Sequence, residues 1–169
     1  KAGADPNAPL SSHGDTALMV ASRSGKPDAV KVLLDSGARI DARESWGDTT
    51  ALMWAVVEGN QAVVRMLIDR GADVNARSKF VPSATGRGFE GATPVARPTP
   101  SVEENASGLL TPLMFAAREG DLESARMLVA AGAEINARGG DGKDALGLAI
   151  FNGGYDVASF LIDSHANVN

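Results

Sequence analysis

The residue types that most often carry chemistry are scarce in this chain of 169 residues. There is no cysteine, so neither a disulfide framework nor a thiolate site can form. The two histidines, His13 and His165, stand near opposite ends of the chain, which excludes a two-histidine metal site or a Ser-His-Asp group within one chain. The carboxylates fall at helix caps and exposed helix positions. We therefore predict no catalytic residue, no metal site and no cofactor.

Two short motifs resemble functional sites, but neither fits the chemistry. The stretch Gly139–Asp144, GGDGKD, superficially resembles a phosphate-binding loop. It lacks that motif's first glycine, has no Ser or Thr after Lys143 and follows no strand, so we interpret it as a turn with a capping aspartate. The triplet Asn105-Ala106-Ser107 has the form of a glycosylation acceptor, which has meaning only in a secreted chain.

The charge balance also narrows the classes of partner. The net charge is −5 without strong clustering, and a nucleic-acid partner would require a basic face for its phosphates. No apolar run approaches the ~20 residues needed to span a bilayer. We therefore expect no nucleic-acid partner and no membrane insertion.

The predicted secondary-structure elements are clearest between Thr111 and Asn136, TPLMFAAREGDLESARMLVAAGAEIN. This stretch predicts a helix, a tight turn, a second helix and a second turn. Thr111 can cap the first helix and Asp121 the second, while Gly120 and Gly132 are placed to end them. Neither helix has enough apolar surface to be stable alone, so the unit must stack against others like it.

Copies of this unit recur along the chain. The Gly-Ala pair after the second helix is found at Gly3, Gly37, Gly71 and Gly132, with His165-Ala166 as a degenerate version. The first helices open with TALM at Thr16, TALM at Thr50, TPLM at Thr111 and DALG at Asp144. Both series give a period of about 33 residues, interrupted once by about 28 additional residues.

The period and these motifs resemble the ankyrin repeat, whose period is about 33 residues with a T-P-L-H-x-A signature. The segment GNQAVVRMLIDRGADVN, Gly59–Asn75, follows the family pattern almost letter for letter. The resemblance implies an all-α fold, an ankyrin-repeat solenoid of stacked helix-turn-helix units with short β-turn connections. It implies little about a particular function.

The repeat pattern indicates that the chain, 1–169, is one ankyrin repeat domain. We assign residues 1–9 to the tail of an upstream repeat, 10–42 to repeat 1, 43–76 to repeat 2, 77–108 to a Pro/Gly-rich insert, 109–138 to repeat 3 and 139–169 to repeat 4. Because the chain starts within a repeat, we expect the native polypeptide to begin earlier. In the insert, Ser101–Glu104 has the form of a capping box, which predicts a short helical turn near Val102–Ala106.

The apolar periodicity predicts the core and leaves two open questions. The expected core residues are Leu18, Ala21, Val30, Leu33, Leu34, Leu52, Ala55, Val63, Val64, Leu67, Ile68, Leu113, Ala116, Ala125, Leu128 and Val129. Val157, Phe160 and Leu161 of the last repeat have no following repeat to cover them. His165 stands where glycine is expected, so either it enters the left-handed region or the helix ends differently. Met19, Met53 and Met114 replace the family's histidine, and we interpret them as apolar packing.

The family resemblance implies a partner on the concave side, built from turn tips and the outward positions of the first helices. Mapped onto this chain, the candidate partner-binding residues are Arg43, Trp46, Trp54, Val57, Arg77, Lys79, Phe80, Phe89, Phe115, Arg118, Glu119 and Phe151. Aromatic and arginine residues dominate binding hot spots. Trp46 falls at a turn tip, where it has no core to fill.

The sequence thus favours a non-catalytic scaffold that binds another protein of unknown identity on its concave face, with the insert contributing. Alternatively, Phe80, Val81, Phe89 and Val95 fold over the concave aromatics and leave the insert as the recognition surface. A structural alternative is end-to-end self-association through apolar ends, as oligomers or filaments. An enzyme with its site in the insert is a further alternative, disfavoured by the few ionisable residues there.

Overall fold

The computed structural model describes residues 5–79 and 108–168, and in these ranges it has eight α-helices and no strand. The helices are α1 Ala17–Arg23, α2 Pro27–Asp35, α3 Ala51–Val57, α4 Gln61–Asp69, α5 Pro112–Glu119, α6 Leu122–Ala130, α7 Ala145–Phe151 and α8 Tyr155–Asp163. The predicted all-α architecture of helix-turn-helix units is confirmed. The helical turn predicted near Val102–Ala106 lies outside the described residues.

The first helix of every unit begins at the same kind of cap. The side chains of Thr16, Thr50 and Thr111 accept the backbone N–H three residues further on, and Asp144 does the same at 2.8 Å from the N–H of Gly147. The three threonines are buried, so each hydrogen bond satisfies a donor that water cannot reach. This repeated cap is why one tetrapeptide pattern marks the start of each unit.

The end of the last helix answers one question that the sequence left open. His165 adopts the left-handed conformation with φ 67°, as Gly37, Gly71 and Gly132 do at the same point of the other units. The backbone of the turn is thus kept although a β-carbon is present, at some cost in conformational strain. The last unit therefore ends as the others do.

The helices pack in two rows. The first helices of the units follow one another as α1, α3, α5 and α7, and the second helices as α2, α4, α6 and α8, each packed on its neighbours in the row. Helix α3 packs on α5 and α4 on α6 although the insert separates them in sequence. One hydrophobic core therefore runs through all four units.

The leucines at equivalent positions of the second helices show how this core depends on neighbours. Leu67, Leu128 and Leu161 are fully buried, whereas Leu33 is only partly buried. Within the described residues α4, α6 and α8 each pack on the second helix of the preceding unit, whereas no second helix precedes α2, which explains the difference. Leu34, Ile68 and Val129 are likewise partly buried and pack at the edge of the core.

The expectation that the apolar face of the last repeat is uncovered is wrong for two of its three residues. Val157 and Leu161 are fully buried, because α8 directs them toward α6 and α7. Phe160 is partly buried, with the Arg126 guanidinium 4.7 Å from its ring centroid. The exposed large apolar residues of this unit are others, among them Ile150 and Ile162.

The three methionines at the family's histidine position lie inside the stack. Met19, Met53 and Met114 are all buried. The thioether of Met19 also lies 3.5 Å from the backbone N–H of the capping Thr16, where a weak sulfur acceptor can partly replace an imidazole nitrogen. Their burial agrees with a packing role.

The loops that join the units, which we call fingers, are closed by one recurring hydrogen bond. The fingers are residues 10–15, 44–49, 78–110 and 139–143. In each, the N–H of the first residue donates to the carbonyl of the last, for example Leu10 to Asp15 at 2.7 Å and Gly139 to Lys143 at 2.8 Å. In the third finger the same bond joins Ser78 to Leu110 at 3.0 Å, and the Ser78 hydroxyl accepts the Leu110 N–H at 3.0 Å. The two ends of the insert therefore meet as the ends of a short finger do.

Neighbouring fingers are also bonded to one another. The N–H of Ser45 donates to the carbonyl of His13 at 2.7 Å, and that of Lys79 to Gly47 at 2.7 Å. The N–H of Gly140 donates to Gly108 at 2.8 Å, so the root of the insert is held from both sides. These hydrogen bonds satisfy backbone N–H and carbonyl groups of the fingers without interrupting the two rows of helices.

An asparagine or aspartate near the end of one unit ties that unit to the next. Asn75 donates from its side-chain amide to the carbonyl of Gly132 at 3.2 Å and accepts the N–H of Glu134 at 2.8 Å. Asn7 bonds Gly37 and Arg39 in the same way, and Asp41 and Asn136 accept the N–H groups of Asp73 and Asn167. The asparagine or aspartate that recurs after each Gly-Ala pair therefore acts as a link between units.

The paired leucines provide a stability test of this packing. Leu67→Ala should lower the free energy of unfolding by ~2 to 5 kcal/mol, because it empties packed volume in the middle of the stack. Leu33→Ala at the equivalent but partly buried position should cost less. Urea unfolding followed by far-UV circular dichroism measures both, and a loss below about 0.5 kcal/mol for Leu67→Ala would contradict the assigned packing.

Candidate functional site

A buried carboxylate organises the turn that presents Trp46. Glu44 is only 2% exposed. It accepts the backbone N–H groups of Trp46 at 2.5 Å, Gly47 at 2.9 Å and Thr49 at 3.0 Å, together with the Thr49 hydroxyl at 2.6 Å. Asp48 completes the turn with φ 52°. The indole of Trp46 is nevertheless 74% exposed, so the finger holds a large apolar side chain out toward solvent.

The pKa of Glu44 reflects this arrangement. Burial raises the pKa, but the hydrogen bonds from Thr49, Gly47 and Trp46 together outweigh burial and hold the pKa below its ordinary value of 4.5. The sequence analysis did not identify Glu44. Its signal was a departure from the repeat, because the equivalent positions carry Ser78 and Gly139.

Trp46 stands at the edge of a concave pocket between the second and third units, with a cavity volume of about 550 Å³. Five of the predicted partner-binding residues line it: Trp46, Trp54, Val57, Phe115 and Arg118. Met53, Leu110, Ser78 and Gly108 complete much of the wall. We call this cavity the tryptophan pocket. Its wall is mostly apolar and aromatic, with few polar groups, as is usual for binding sites.

Two arginines are stacked on the aromatic rings of this pocket. The guanidinium carbon of Arg23 lies 5.2 Å from the Trp54 ring centroid, and that of Arg118 lies 4.9 Å from the Phe115 ring centroid. Such stacking orients a guanidinium while leaving its edge open. Arg23 occupies the repeat position of Val57, Arg118 and Phe151, so the period alone could have identified it.

A smaller hollow of about 270 Å³ lies on the other side of the two tryptophans. It is lined by His13, Asp15, Arg23 and Glu44 as well as by Trp46 and Trp54. The Asp15 carboxylate accepts the Ser11 hydroxyl at 2.5 Å, and Glu44 is occupied by its own turn. The tryptophans therefore divide a mostly apolar pocket from a more polar one.

Arg43 and Arg77, both predicted to contact a partner, are engaged within the stack. The Nη1 group of Arg43 donates to the carbonyl of Arg77 at 2.6 Å, and Arg77 donates in the same way to Arg138 at 2.8 Å. Arg77 also lies 3.9 Å from a carboxylate oxygen of Glu134. These arginines link successive units, and neither lines the tryptophan pocket.

The other predicted site residues are dispersed. Glu119 is paired with Arg118, whose Nε lies 2.9 Å from a Glu119 carboxylate oxygen. Phe151 is 77% exposed, with the Lys143 ammonium 5.7 Å from its ring centroid, and it does not line the tryptophan pocket. Lys79 is exposed at the root of the insert. Phe80 and Phe89, and the fold-back of the insert over the aromatics, lie outside the described residues.

The arrangement is suited to binding an apolar group. In residues 5–79 and 108–168 no three His, Cys, Asp or Glu side chains gather in a way that could hold a metal ion. In the same ranges no helix is both long and apolar enough to cross a membrane. The pocket offers apolar surface with Arg118 in its wall, and Arg23 is stacked on the Trp54 ring beside it.

Comparison with known families agrees with the fold. A family model of ankyrin repeats, described as three copies, matches residues 2–78 and 98–169. The chain therefore belongs to the ankyrin repeat family. Ankyrin repeats are generic protein–protein interaction modules and are typically not catalytic. A search of curated proteins found no match.

The Glu44 turn leads to a prediction about pH. Glu44→Gln should lower the free energy of unfolding at pH 7 by ~1 to 3 kcal/mol, because it weakens several buried hydrogen bonds to a charged group. Since the folded pKa is depressed, this stabilisation is present above the unfolded pKa and is lost as the pH falls through the folded value. The difference between wild type and variant should therefore persist to about pH 4.5 and shrink below it.

Chemical denaturation from pH 7 to pH 3 measures this difference. Glu58→Gln is the control, because Glu58 is exposed at the end of α3, and its effect should stay within about 0.5 kcal/mol. A Glu44→Gln variant as stable as wild type at pH 7 would show that the carboxylate does not support the turn.

Proposed function

We propose that this ankyrin repeat protein binds a partner protein at the tryptophan pocket on its concave face. The observation that carries the proposal is the position of Trp46, a large apolar side chain that is 74% exposed on a finger held by a buried carboxylate. An exposed indole beside an apolar cavity is the kind of anchor that contributes most to protein interfaces. Buried by a partner, it would also remove a large apolar surface from water.

The insert supports the same location. Ser78 and Gly108, at its two ends, both line the tryptophan pocket. Whatever the insert contacts, its chain leaves and returns beside the proposed site. We therefore propose that the insert contributes to recognition of the partner, while the pocket supplies the apolar anchor.

End-to-end self-association is a second candidate, favoured by exposed apolar residues on the outermost second helices. Val32 of α2 is 63% exposed and Ile162 of α8 is 48% exposed. Stacking through these faces would be a head-to-tail contact that does not close. It would give a ladder of sizes that grows with concentration, which light scattering separates from binding of a distinct partner.

A displayed library of random peptides tests the proposal for a partner of any sequence. Peptides enriched on the wild-type protein should lose on the order of 30-fold in affinity for Trp46→Ala, as expected for a hot spot of about 2 kcal/mol. Val57→Asp should also weaken them, because it places a charge in the apolar wall. Affinities follow from fluorescence anisotropy of labelled peptides.

Tyr155→Ala is the matched control. Tyr155 is an aromatic residue that is 73% exposed and does not line the tryptophan pocket, so its removal should leave the affinities unchanged. Enriched peptides that bind Trp46→Ala and Val57→Asp as tightly as wild type would place recognition elsewhere and overturn the proposal.

A further inference from the structure

The turn between α7 and α8 contains the only Asn-Gly pair of the chain, Asn152-Gly153. In the other three units the residue before the equivalent glycine is Ser24, Glu58 or Glu119, and none of these carries a side-chain amide. Asparagine is one of the chemically labile residues, and a following glycine has no β-carbon to shield its backbone nitrogen from the amide. The last unit therefore combines a reactive amide and an unshielded nitrogen in one turn.

The fold requires the glycine of this pair. Gly153 has φ 78°, and the equivalent Gly25, Gly59 and Gly120 have φ of 62°, 67° and 71°. A β-carbon at Gly153 would meet no atom within 4 Å, so the left-handed conformation, and not lack of space, selects glycine here. Asn152 thus precedes a glycine that the turn cannot exchange without strain.

The folded turn keeps the two reacting groups in other hydrogen bonds. The Nδ2 of Asn152 donates to the carbonyl of Leu148 at 2.8 Å, and the N–H of Gly153 donates to the carbonyl of Ile150 at 3.2 Å. Asn152 is exposed, so water reaches it. Attack of the Gly153 nitrogen on the Asn152 side chain therefore requires the end of α7 to open first.

The last unit is where such opening costs least. Helices α7 and α8 pack on α5 and α6, and within residues 5–79 and 108–168 no unit follows them. Ile150 is 54% exposed, whereas Val56 and Ala117 at the equivalent position are fully buried. A unit with one neighbour is held by one interface only, and weakly held segments open before the whole protein unfolds.

We propose that Asn152 is a site of spontaneous deamidation whose rate is set by local opening of the last unit. The nitrogen of Gly153 gives up its proton to solvent and attacks Cγ of Asn152, and Nδ2 leaves as ammonia after taking up a proton, so that a cyclic imide remains. Water then adds to one of the two imide carbonyls and breaks the bond of that carbonyl to nitrogen. The product is aspartate or isoaspartate, and no oxidant or reductant is involved.

Either product weakens the turn. Isoaspartate adds a methylene group to the backbone, next to the bond in which the Gly154 N–H donates to Ala149 at 2.8 Å. Aspartate places a negative charge at the C-terminal end of α7, where the helix dipole disfavours it. It would also share a hollow of about 310 Å³ with Glu119 and Asp156. Because Arg118 lines both this hollow and the tryptophan pocket, the modified turn lies next to the proposed binding site.

Ageing of the wild-type chain at pH 7, followed by peptide mapping with mass spectrometry, tests the site. Asn152 should change from amide to acid before Asn60 and Asn75, which precede glutamine and alanine. An isoaspartyl methyltransferase should label the peptide that contains position 152. The label should be absent from Asn152→Ser, which introduces the residue that the first unit has at this position. Conversion of Asn152 no faster than that of Asn60 and Asn75 would overturn the proposal.

Two cavity variants test the role of local opening. Leu161 in α8 and Leu18 in α1 are both fully buried. Leu161→Ala loosens the last unit and should accelerate conversion of Asn152 by roughly tenfold or more, whereas Leu18→Ala, the matched control in the first unit, should leave the rate nearly unchanged. If Leu161→Ala does not fold, Val157→Ala makes the same comparison, because Val157 is also fully buried in α8.

A synthetic peptide of residues 148–156 supplies the rate of the open chain. The peptide should convert faster than the folded protein, because its asparagine and glycine are free of the bonds that hold them in the turn. Equal rates in peptide and protein, or equal acceleration by the α8 and α1 variants, would overturn control by opening of the last unit.

Discussion

The structure depends on the fact that none of its helix pairs can bury its apolar side alone. Helices as short as α1 and α3, of seven residues each, gain stability from the helices packed against them and not from their own hydrogen bonds. The stack must therefore be continuous, and the insert must leave and re-enter it at one point. The bond between Ser78 and Leu110 meets that requirement by closing the long finger as the short fingers are closed.

The same constraint explains the candidate site. The units are joined on one side by helix packing and on the other by the fingers, so side chains on the fingers are free of core packing and can face a partner. Glu44 uses this freedom to fix the turn of Trp46, while α3 and α5 supply Trp54 and Phe115 from adjacent units. The tryptophan pocket thus exists only because two units are held side by side across the insert.

The fold could be predicted from the sequence because its signals are local and repeated. The capping threonines, the turn glycines and the leucines at equivalent positions each have the same short-range cause in every unit. The roles of Arg43 and Arg77 could not be predicted from local signals. Each side chain donates to a backbone carbonyl of the next unit, and only the stacking of the units brings that carbonyl within reach. Glu44 was missed because it occurs in one repeat only. The burial of Val157 and Leu161 was not predicted, because it comes from the packing of α8 on α6 and α7.

The most direct test of a continuous core is the cooperativity of unfolding after the insert is removed. In a variant whose residues 79–109 are replaced by the short finger of residues 45–48, α3 should still pack on α5 and α4 on α6. Far-UV circular dichroism and tryptophan emission should then report a single, coincident urea transition with nearly the wild-type helix content. Two separate transitions, or loss of helix, would contradict a core that is continuous across the insert.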